Sequence, residues 1–557
     1  MDQAIQGLES PISRPMANFI PRSIHHSITL AKKNMEMGGQ TKMDGDTLEI
    51  LGNIYKTTTG DLGLLTDQAR TSLELFHEGK YGIEVAHQPK FLGGERFVVN
   101  KLSLGAALSA QDPEFYPFFY LADYDKVHAE LTKTHFPLVN SSTGFPLSVD
   151  QEDEKRFDGA GIRYLPLPPQ EYTESLLNTL RENYLFSINT CVQEGYKGNL
   201  LEERLESAIR HLKRTLHASR SYGEWFLRII GTITNIYLDH GYIFLISSNE
   251  DYRKILTPHY EYILQHRERY IQIYQEIQET FTNSGFSSPL RDIKEDFVPF
   301  FYECPEKSCH GHRIQLSATK AGSMIVLQGK CPACNMLHEI VTSRSHPDLA
   351  DHVMQLTPRV ESRQYLVSKT SIPAIHVSGT GETRYYTMSM PLMKRLDPDA
   401  MLPVIHFYNK VTTNTFITRY LEGRIINSGL NGFLDAIKEL MKKVGKFNQL
   451  VRKYEDGTKM EKFLNETIGI LKDMNEAMKE LESTCQHHVE SKENGKVLHD
   501  LDYYLANLFG QIAPERHGQE SVFHWIDLCM KNGLSKVTRD YMHVYQPWLP
   551  PGLQVFL

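Results

Sequence analysis

Short apolar runs that stop at polar loops and are followed by helical patterns predict an α/β chain on a mostly parallel sheet. Three stretches carry this expectation. The run at 83–86 ends at His87-Gln88-Pro89, and a glycine pair, Gly93-Gly94, precedes a helical pattern at 97–108. The run at 117–122 opens directly into Asp123-Tyr124-Asp125. A third run, 242–247 (YIFLIS), repeats the pattern before Glu250-Asp251-Tyr252. Strands of this kind deliver polar side chains to the carboxyl edge of the sheet, where open α/β folds bind ligands. The expected core is therefore Rossmann-like.

Taken in order, residues 1–59 form an N-terminal lead-in. Residues 8–48, rich in Ser, Pro, Met, Gly and Lys, are expected to be loosely ordered. The start of the chain has no basic region followed by an apolar core, so no secretory signal is expected there. The first part of the core spans 60–260, with strands at 83–86, 117–122, 162–166 and 242–247 and helices at 173–191 and 250–263. An insertion at 261–344 holds a helix at 258–282 and a cysteine-bearing module at 300–342. The core resumes at 345–425, with strands at 374–378 and 403–408. From 426 to 510 the pattern turns helical. Leu434, Ile437, Met441 and Val444 form one stripe, a turn at Glu455-Asp456-Gly457 follows, and Leu471, Met474, Met478, Leu481 and Cys485 resume it. Two such helices predict an antiparallel coiled-coil arm. A C-terminal helical segment, 511–557, is expected to pack on the core.

The bulk numbers narrow the function classes. A chain of 557 residues suggests two or three packed units. Its net charge of -8 gives no general attraction to nucleic acid or acidic membranes. No stretch approaches the ~20 apolar residues that cross a bilayer. Seven cysteines are too few for a disulfide scaffold. A cytoplasmic protein is expected.

Four of those cysteines, Cys304, Cys309, Cys331 and Cys334, sit in two knuckles on either side of a hairpin-like stretch at 313–330 that turns at Lys320-Ala321-Gly322-Ser323. Structural zinc takes four thiolate or imidazole ligands in a tetrahedron, and knuckles of this spacing can wrap it. The Cys331-Pro332-Ala333-Cys334 knuckle has the tighter spacing; in the looser one His310 or His312 is an alternative to Cys309. A four-thiolate site has no open coordination position, so such a zinc would be structural. Zinc ribbons of this style also occur in proteins that handle nucleic acid. Here Lys307, Arg313, Lys320 and Lys330 supply charge with few aromatics between them, a weak case for RNA contact.

The glycine-bearing loop before a helix predicts free backbone N–H groups and a site for an anion. Several familiar signatures are absent: the Gly-x4-Gly-Lys-Ser/Thr phosphate loop, a complete Gly-x-Gly-x-x-Gly, His-Glu-x-x-His and the nucleophile elbow. Neither motif of the standard class I aminoacyl-tRNA synthetases is present.

Gln88, Pro89, Gly93, Gly94 and Lys101 fall in register with a segment that marks the bacillithiol biosynthesis cysteine-adding enzymes, Gly-Gln-Gln-Pro-Gly-Leu-x-Gly-Gly-Pro-Leu-Tyr with a lysine in the next helix. Phe97 stands for the aromatic. Arg359 and Arg363 in the segment at 357–364, the strand at 375–378, Gly379-Thr380-Gly381-Glu382 and Tyr385 resemble the family's arginine-bearing segment and Gly-x-Gly-Glu turn. Pro514-Glu515-Arg516, Gln519-Glu520 and Lys531-Asn532-Gly533 are similar to its closing helix. Two departures stand out. The family's acidic Glu-Asp-His-Asp cluster becomes Tyr124, Asp125, Lys126 and Val127, and the cysteine insert is not characteristic of it.

The resemblance implies a cysteine ligase that condenses the cysteine carboxyl with the amine of a glucosaminyl-malate-like amino-sugar conjugate. It implies activation by ATP or another nucleotide, and a homodimer formed through the helical arm. Lys101 would neutralise a phosphate or carboxylate, and His87 would act as base. Asp123 and Asp125 would take an ammonium group or the proton of the attacking amine. Gln88, Gly93, Gly94, Arg359, Arg363, Gly379, Gly381, Glu382 and Tyr385 would bind substrate or nucleotide. Two other functions are open: a non-catalytic or RNA-contacting zinc-ribbon protein on the same scaffold, or an ATP-dependent ligase for another amino acid and amine.

Overall fold

The computed structural model describes residues 10–37, 43–192, 198–427, 460–489, 494–514 and 518–557, with a few positions between 439 and 446. Its centre is a parallel five-stranded sheet in the order Val404–Phe407, Pro373–Ser378, Tyr81–His87, Phe115–Leu121, Ile243–Ile246. All four pairings are parallel, with Ile83 opposite Ile375 on one side and opposite Pro117 on the other. Strands buried on both faces read as nearly unbroken apolar runs. Alternate residues divide between the two faces: Ile83, Val85, Phe119 and Leu121 join one core cluster, Ala86, Phe118 and Tyr120 the other.

The chain leaves Tyr81–His87 in one direction, through Phe115–Leu121 to Ile243–Ile246. It then returns on the opposite side at Pro373–Ser378. The strand order therefore reverses between Tyr81–His87 and Pro373–Ser378, and the carboxyl ends of these two strands are the place where open α/β folds form a ligand crevice. This α/β core is the expected fold class, and a second, antiparallel sheet carries the cysteine module. That sheet runs in the order Leu356–Pro358, Phe297–Glu303, Arg313–Ala321, Met324–Lys330, Leu337–Ser343. The expected hairpin is its centre, turning at Gly322 with φ of 63°.

Several expectations are corrected. Residues 162–166 are not a strand; Ile162–Tyr164 is a 3-10 turn whose backbone bonds to the loop after Phe115–Leu121 through Ile162 N to Asp125 O, 2.6 Å. The helix expected at 258–282 is two helices, Glu250–Gln265 and Arg267–Asn283, which meet at His266. Residues 8–48 are not loose where they are described: Met16, Ile20, Ile24 and Ala31 are buried in the core, and Ile405 N donates to Phe19 O at 2.6 Å. Of the arm, Leu434, Ile437, Met441, Val444 and the turn at 455–457 lie outside the described residues. The helix Met460–Val489 is present, and Leu471 and Met478 on its stripe are about half exposed.

Inside the sheet Glu84 faces His376 across the strand pair, and both are fully buried. Glu84 accepts from His376 Nδ1 at 2.9 Å and Gln364 Nε2 at 3.0 Å, and it forms an ion pair with Arg363. Tyr386 OH closes the network on His376 Nε2 at 3.0 Å. Burial alone would push the Glu84 carboxyl up, but Arg363 and His376 outweigh it and hold it down at about 2. The C-terminal segment locks the loop after Tyr81–His87: Trp525 Nε1 and His524 Nε2 reach Leu92 O at 2.9 and 2.8 Å. Gly93, with φ of 91°, sits beneath it, and a Cβ there would come 2.7 Å from Ile229 and 2.8 Å from the Trp525 indole nitrogen.

Gly93→Ala is therefore expected to cost about 2–4 kcal/mol, from positive φ and overpacking together, read as a lowered denaturation midpoint. Glu84→Gln leaves Arg363 without its counter-charge, at about 3–5 kcal/mol near neutral pH. Because the folded pKa of Glu84 lies below its ordinary 4.5, its contribution is complete above 4.5 and fades as pH falls toward about 2. The stability gap between the two proteins should narrow over that window; a gap constant with pH would contradict the assignment.

Candidate functional site

The carboxyl end of Tyr81–His87 gathers side chains from three elements. Helix Arg96–Ser109 brings Lys101 back over the strand end, where its Nζ donates to Ala86 O at 3.3 Å and to Glu382 Oε2 at 2.8 Å. Glu382 stands in the first turn of helix Thr380–Leu396, and the same carboxylate oxygen accepts from Gly379 N at 2.7 Å. The lysine is the buried partner, with 3% of its side chain exposed; Glu382 is the outer one, at 36%. Burial opposes ionisation of Glu382, yet Lys101 and His376 prevail and hold it at about 2. The outer face of this pair is therefore a carboxylate, and Lys101 serves first to hold it.

His87 is buried beside Lys101 and the Phe97 ring. Burial, then the charges of Lys101 and Lys90, push its pKa down to about 3, so the imidazole is neutral. Its Nδ1 faces Gln88 O at 2.8 Å and so carries the proton, which leaves Nε2 as the acceptor. Gln88 donates to Asp125 Oδ2 at 2.9 Å, and Arg313 Nη1 pairs with Asp125 Oδ1 at 2.9 Å. Burial works against the Asp125 carboxylate, but Arg313 and Gln88 keep its pKa below the ordinary value. Lys101, Glu382, Gly379, His87, Gln88 and Asp125 thus share one strand end.

The other expected site residues do different things. Asp123 ties two strand ends together, accepting from Ser247 Oγ at 2.6 Å, Ser248 N at 3.0 Å and the Ser248 hydroxyl. Gly93 N and Gly94 N donate within their own turn, to Lys90 O and Phe91 O, so the expected open anion cradle is not formed by them. Arg363 turns its fork inward to Glu84 and Gln364, with its guanidinium 4.9 Å from the Tyr120 ring. Arg359 stacks on Phe297 and Phe301 at 4.6 and 4.2 Å, under the antiparallel sheet. Tyr385 is half-buried, and its neighbour Tyr386 joins the Glu84 network instead. A Cβ at Gly381 would meet nothing within 4 Å, so the first turn of its helix is open to approach. Gln519 binds Arg96 and Thr413, while Glu515 and Arg516 lie outside the described residues.

The four cysteine sulfurs lie within 4.8 Å of one another, and the Cys304–Cys334 and Cys309–Cys331 separations are both 3.9 Å. Zinc–sulfur bonds of about 2.3 Å in a tetrahedron place sulfurs about 3.8 Å apart, so the group fits structural zinc. The alternative histidine ligands are excluded by position. His310 adopts a left-handed backbone and packs on Phe157, and His312 Nε2 faces Asp158 O at 2.9 Å. His338, which sequence spacing did not single out, brings Nε2 within 3.5 Å of Cys304 Sγ and can orient that ligand. Two of the four ribbon cations are paired, Arg313 with Asp125 and Lys320 with Glu268.

Sequence inspection missed Glu84, Gln364, His376, Tyr386 and Arg313 as members of these networks. The available signal was an ionisable residue inside each of two buried strands, YGIEVAH and PAIHVS.

Among the described residues no helix is long and apolar enough to cross a membrane. No protein-family model matches the chain. A curated protein from Lysinibacillus sphaericus named "Putative cysteine ligase BshC" is 21% identical over 222 residues, 40% of this chain and 37% of that protein. The match thus spans well under half of either protein, a distant likeness to a cysteine ligase.

Proposed function

We propose that this chain is a cysteine ligase of the bacillithiol type, joining the cysteine carboxyl to the amine of a glucosaminyl-malate-like conjugate. The observation that carries the reading is the convergence of the Lys101–Glu382–Gly379 cluster and the Gln88–Asp125 pair at the point where the strand order reverses. The distant likeness to a cysteine ligase supports the same class.

A carboxylate is a poor electrophile, so one of its oxygens must first take a phosphoryl or nucleotidyl group from ATP, with release of ADP or pyrophosphate. The neutral amine then attacks the carbonyl carbon. The C–N bond forms, the C–O bond to the phosphate group breaks, and the proton of the new ammonium passes to a base. Glu382 and Asp125, both ionised, suit substrate ammonium groups or a ribose hydroxyl. Lys101 fixes Glu382 and adds positive charge near an activated phosphate. His87 is neutral with its pKa held at about 3, so its Nε2 would accept a hydrogen bond from substrate rather than carry the departing proton, which would pass to the Asp125 carboxylate and on to solvent. The open first turn at Gly381 admits close approach of a ligand. Zinc held by Cys304, Cys309, Cys331 and Cys334 would stiffen the ribbon and take no part in bond making. A cytoplasmic homodimer completes the proposal.

A second reading has its own support: Lys126 is exposed and Val127 fully buried where the bacillithiol enzymes carry a histidine and an acid. This favours a ligase of the same chemistry with a different amine.

Purified protein given cysteine, ATP and glucosaminyl-malate is expected to yield a thiol product with the mass of the amide. Lys101→Ala and Asp125→Asn should each lower kcat/KM by about 100-fold or more. Product with another amine only would establish the second reading. No product with any nucleotide or amine would refute both.

A further inference from the structure

The cysteine knuckle does not stand apart from the crevice. At its two ends, charged residues cross to the loops that hold Asp125. Glu303, directly before Cys304 and 2% exposed, pairs with Arg163 Nη2 at 2.6 Å and with Arg253 Nη1 at 3.2 Å. Arg163 is itself bonded to the acidic loop, its N donating to Asp123 O at 3.2 Å. At the other end Arg313 follows His312. It holds Asp125 Oδ1 at 2.9 Å and Tyr124 O, through Nε, at 3.1 Å, with its guanidinium between the Tyr124 and Phe301 rings. Between these ends Gly161 N donates to His310 O at 3.0 Å, His312 Nε2 meets Asp158 O at 2.9 Å, and the His310 ring lies 4.7 Å from Phe157. The knuckle is thus flanked by contacts to 123–125 and to 157–163, made by Glu303, His310, His312 and Arg313.

We propose that the four-cysteine group is a metal-dependent latch on the crevice and that Arg313 is the positioning residue through which it acts. Glu303 and Arg313 are paired across the ladder, with Cys304 N bonded to His312 O at 2.9 Å; a metal bound to Cys304, Cys309, Cys331 and Cys334 would tie the loop that leaves this pair to the second knuckle, and so steady the position from which Arg313 aims Asp125 at Gln88. Without the metal the knuckles keep their strand pairing and the His338–Cys304 contact but lose their common anchor, and the clamp on Asp125 loosens while the parallel sheet stays intact. Only the consequence for catalysis rests on the ligase reading; the latch itself does not.

Hydrogen–deuterium exchange on the full-length protein tests this without any substrate. Zinc-loaded protein is compared with protein stripped by a chelator. Stripping should speed exchange at 123–128 and 158–164 about tenfold and leave 81–87 and 373–378 unchanged. Arg313→Ala should retain one zinc per chain and reproduce the faster exchange at 123–128 alone. Arg313→Lys keeps the charge but not the fork, and should give a smaller acceleration with zinc retained. Native exchange at 123–128 in the stripped protein, or in both zinc-loaded variants, overturns the latch. Faster exchange in a protein that makes no amide would leave the latch standing and remove the ligase reading, whereas native exchange in an active ligase would remove the latch alone.

Discussion

A carboxylate in the middle of a buried parallel strand has to meet a counter-charge and hydrogen-bond donors, or the strand cannot close. Glu84 sets this condition. Arg363 and Gln364 meet it from the helix that precedes Pro373–Ser378, and His376 meets it from that strand itself. The ion pair and hydrogen bonds therefore fix where the returning half of the chain sits against the first. Once Pro373–Ser378 is in register with Tyr81–His87, the turn at Gly379 and the helix that follows place Glu382 over Lys101. A buried ion pair adds little net stability, since desolvation offsets most of its attraction, but it specifies one arrangement strongly.

The same logic of charge met by charge runs outward from the sheet. Lys101 is buried and Glu382 half-exposed, so the pair presents a carboxylate to whatever enters the crevice. Asp125 is kept ionised by a guanidinium that comes from another sheet. In the proposed reading these carboxylates would meet cationic or hydroxyl-rich ligand groups. The first glycine loop holds structure, and recognition in that reading falls to the strand ends and to the turn that carries Glu382.

What could be read in the sequence was local. The strand at 83–86, the polar elbow at 87–89, Lys101 one helical turn into its helix and the paired cysteines all depend on neighbours in the chain. The features that were misread depend on distant ones. Gly93 looks like part of a phosphate loop until Trp525, more than four hundred residues away, is found against it. His312 looks like a metal ligand until its ring meets Asp158. Residues 162–164 look like a strand because Ile162 is apolar and buried, yet their backbone bonds go to Asp125 and Asp123 rather than to a ladder. Arg313 gave no signal as part of the site, because nothing in a ribbon sequence says which loop the ribbon will lie against.

The crystal structure of a complex with cysteine and a non-hydrolysable ATP analogue tests the central claim most directly. The account predicts an ammonium or ribose hydroxyl against Glu382 or Asp125, with the cysteine carboxyl close to the nucleotide phosphates at the carboxyl ends of Tyr81–His87 and Pro373–Ser378. Ligands bound at another surface, with the Lys101–Glu382 and Gln88–Asp125 contacts untouched, would contradict it.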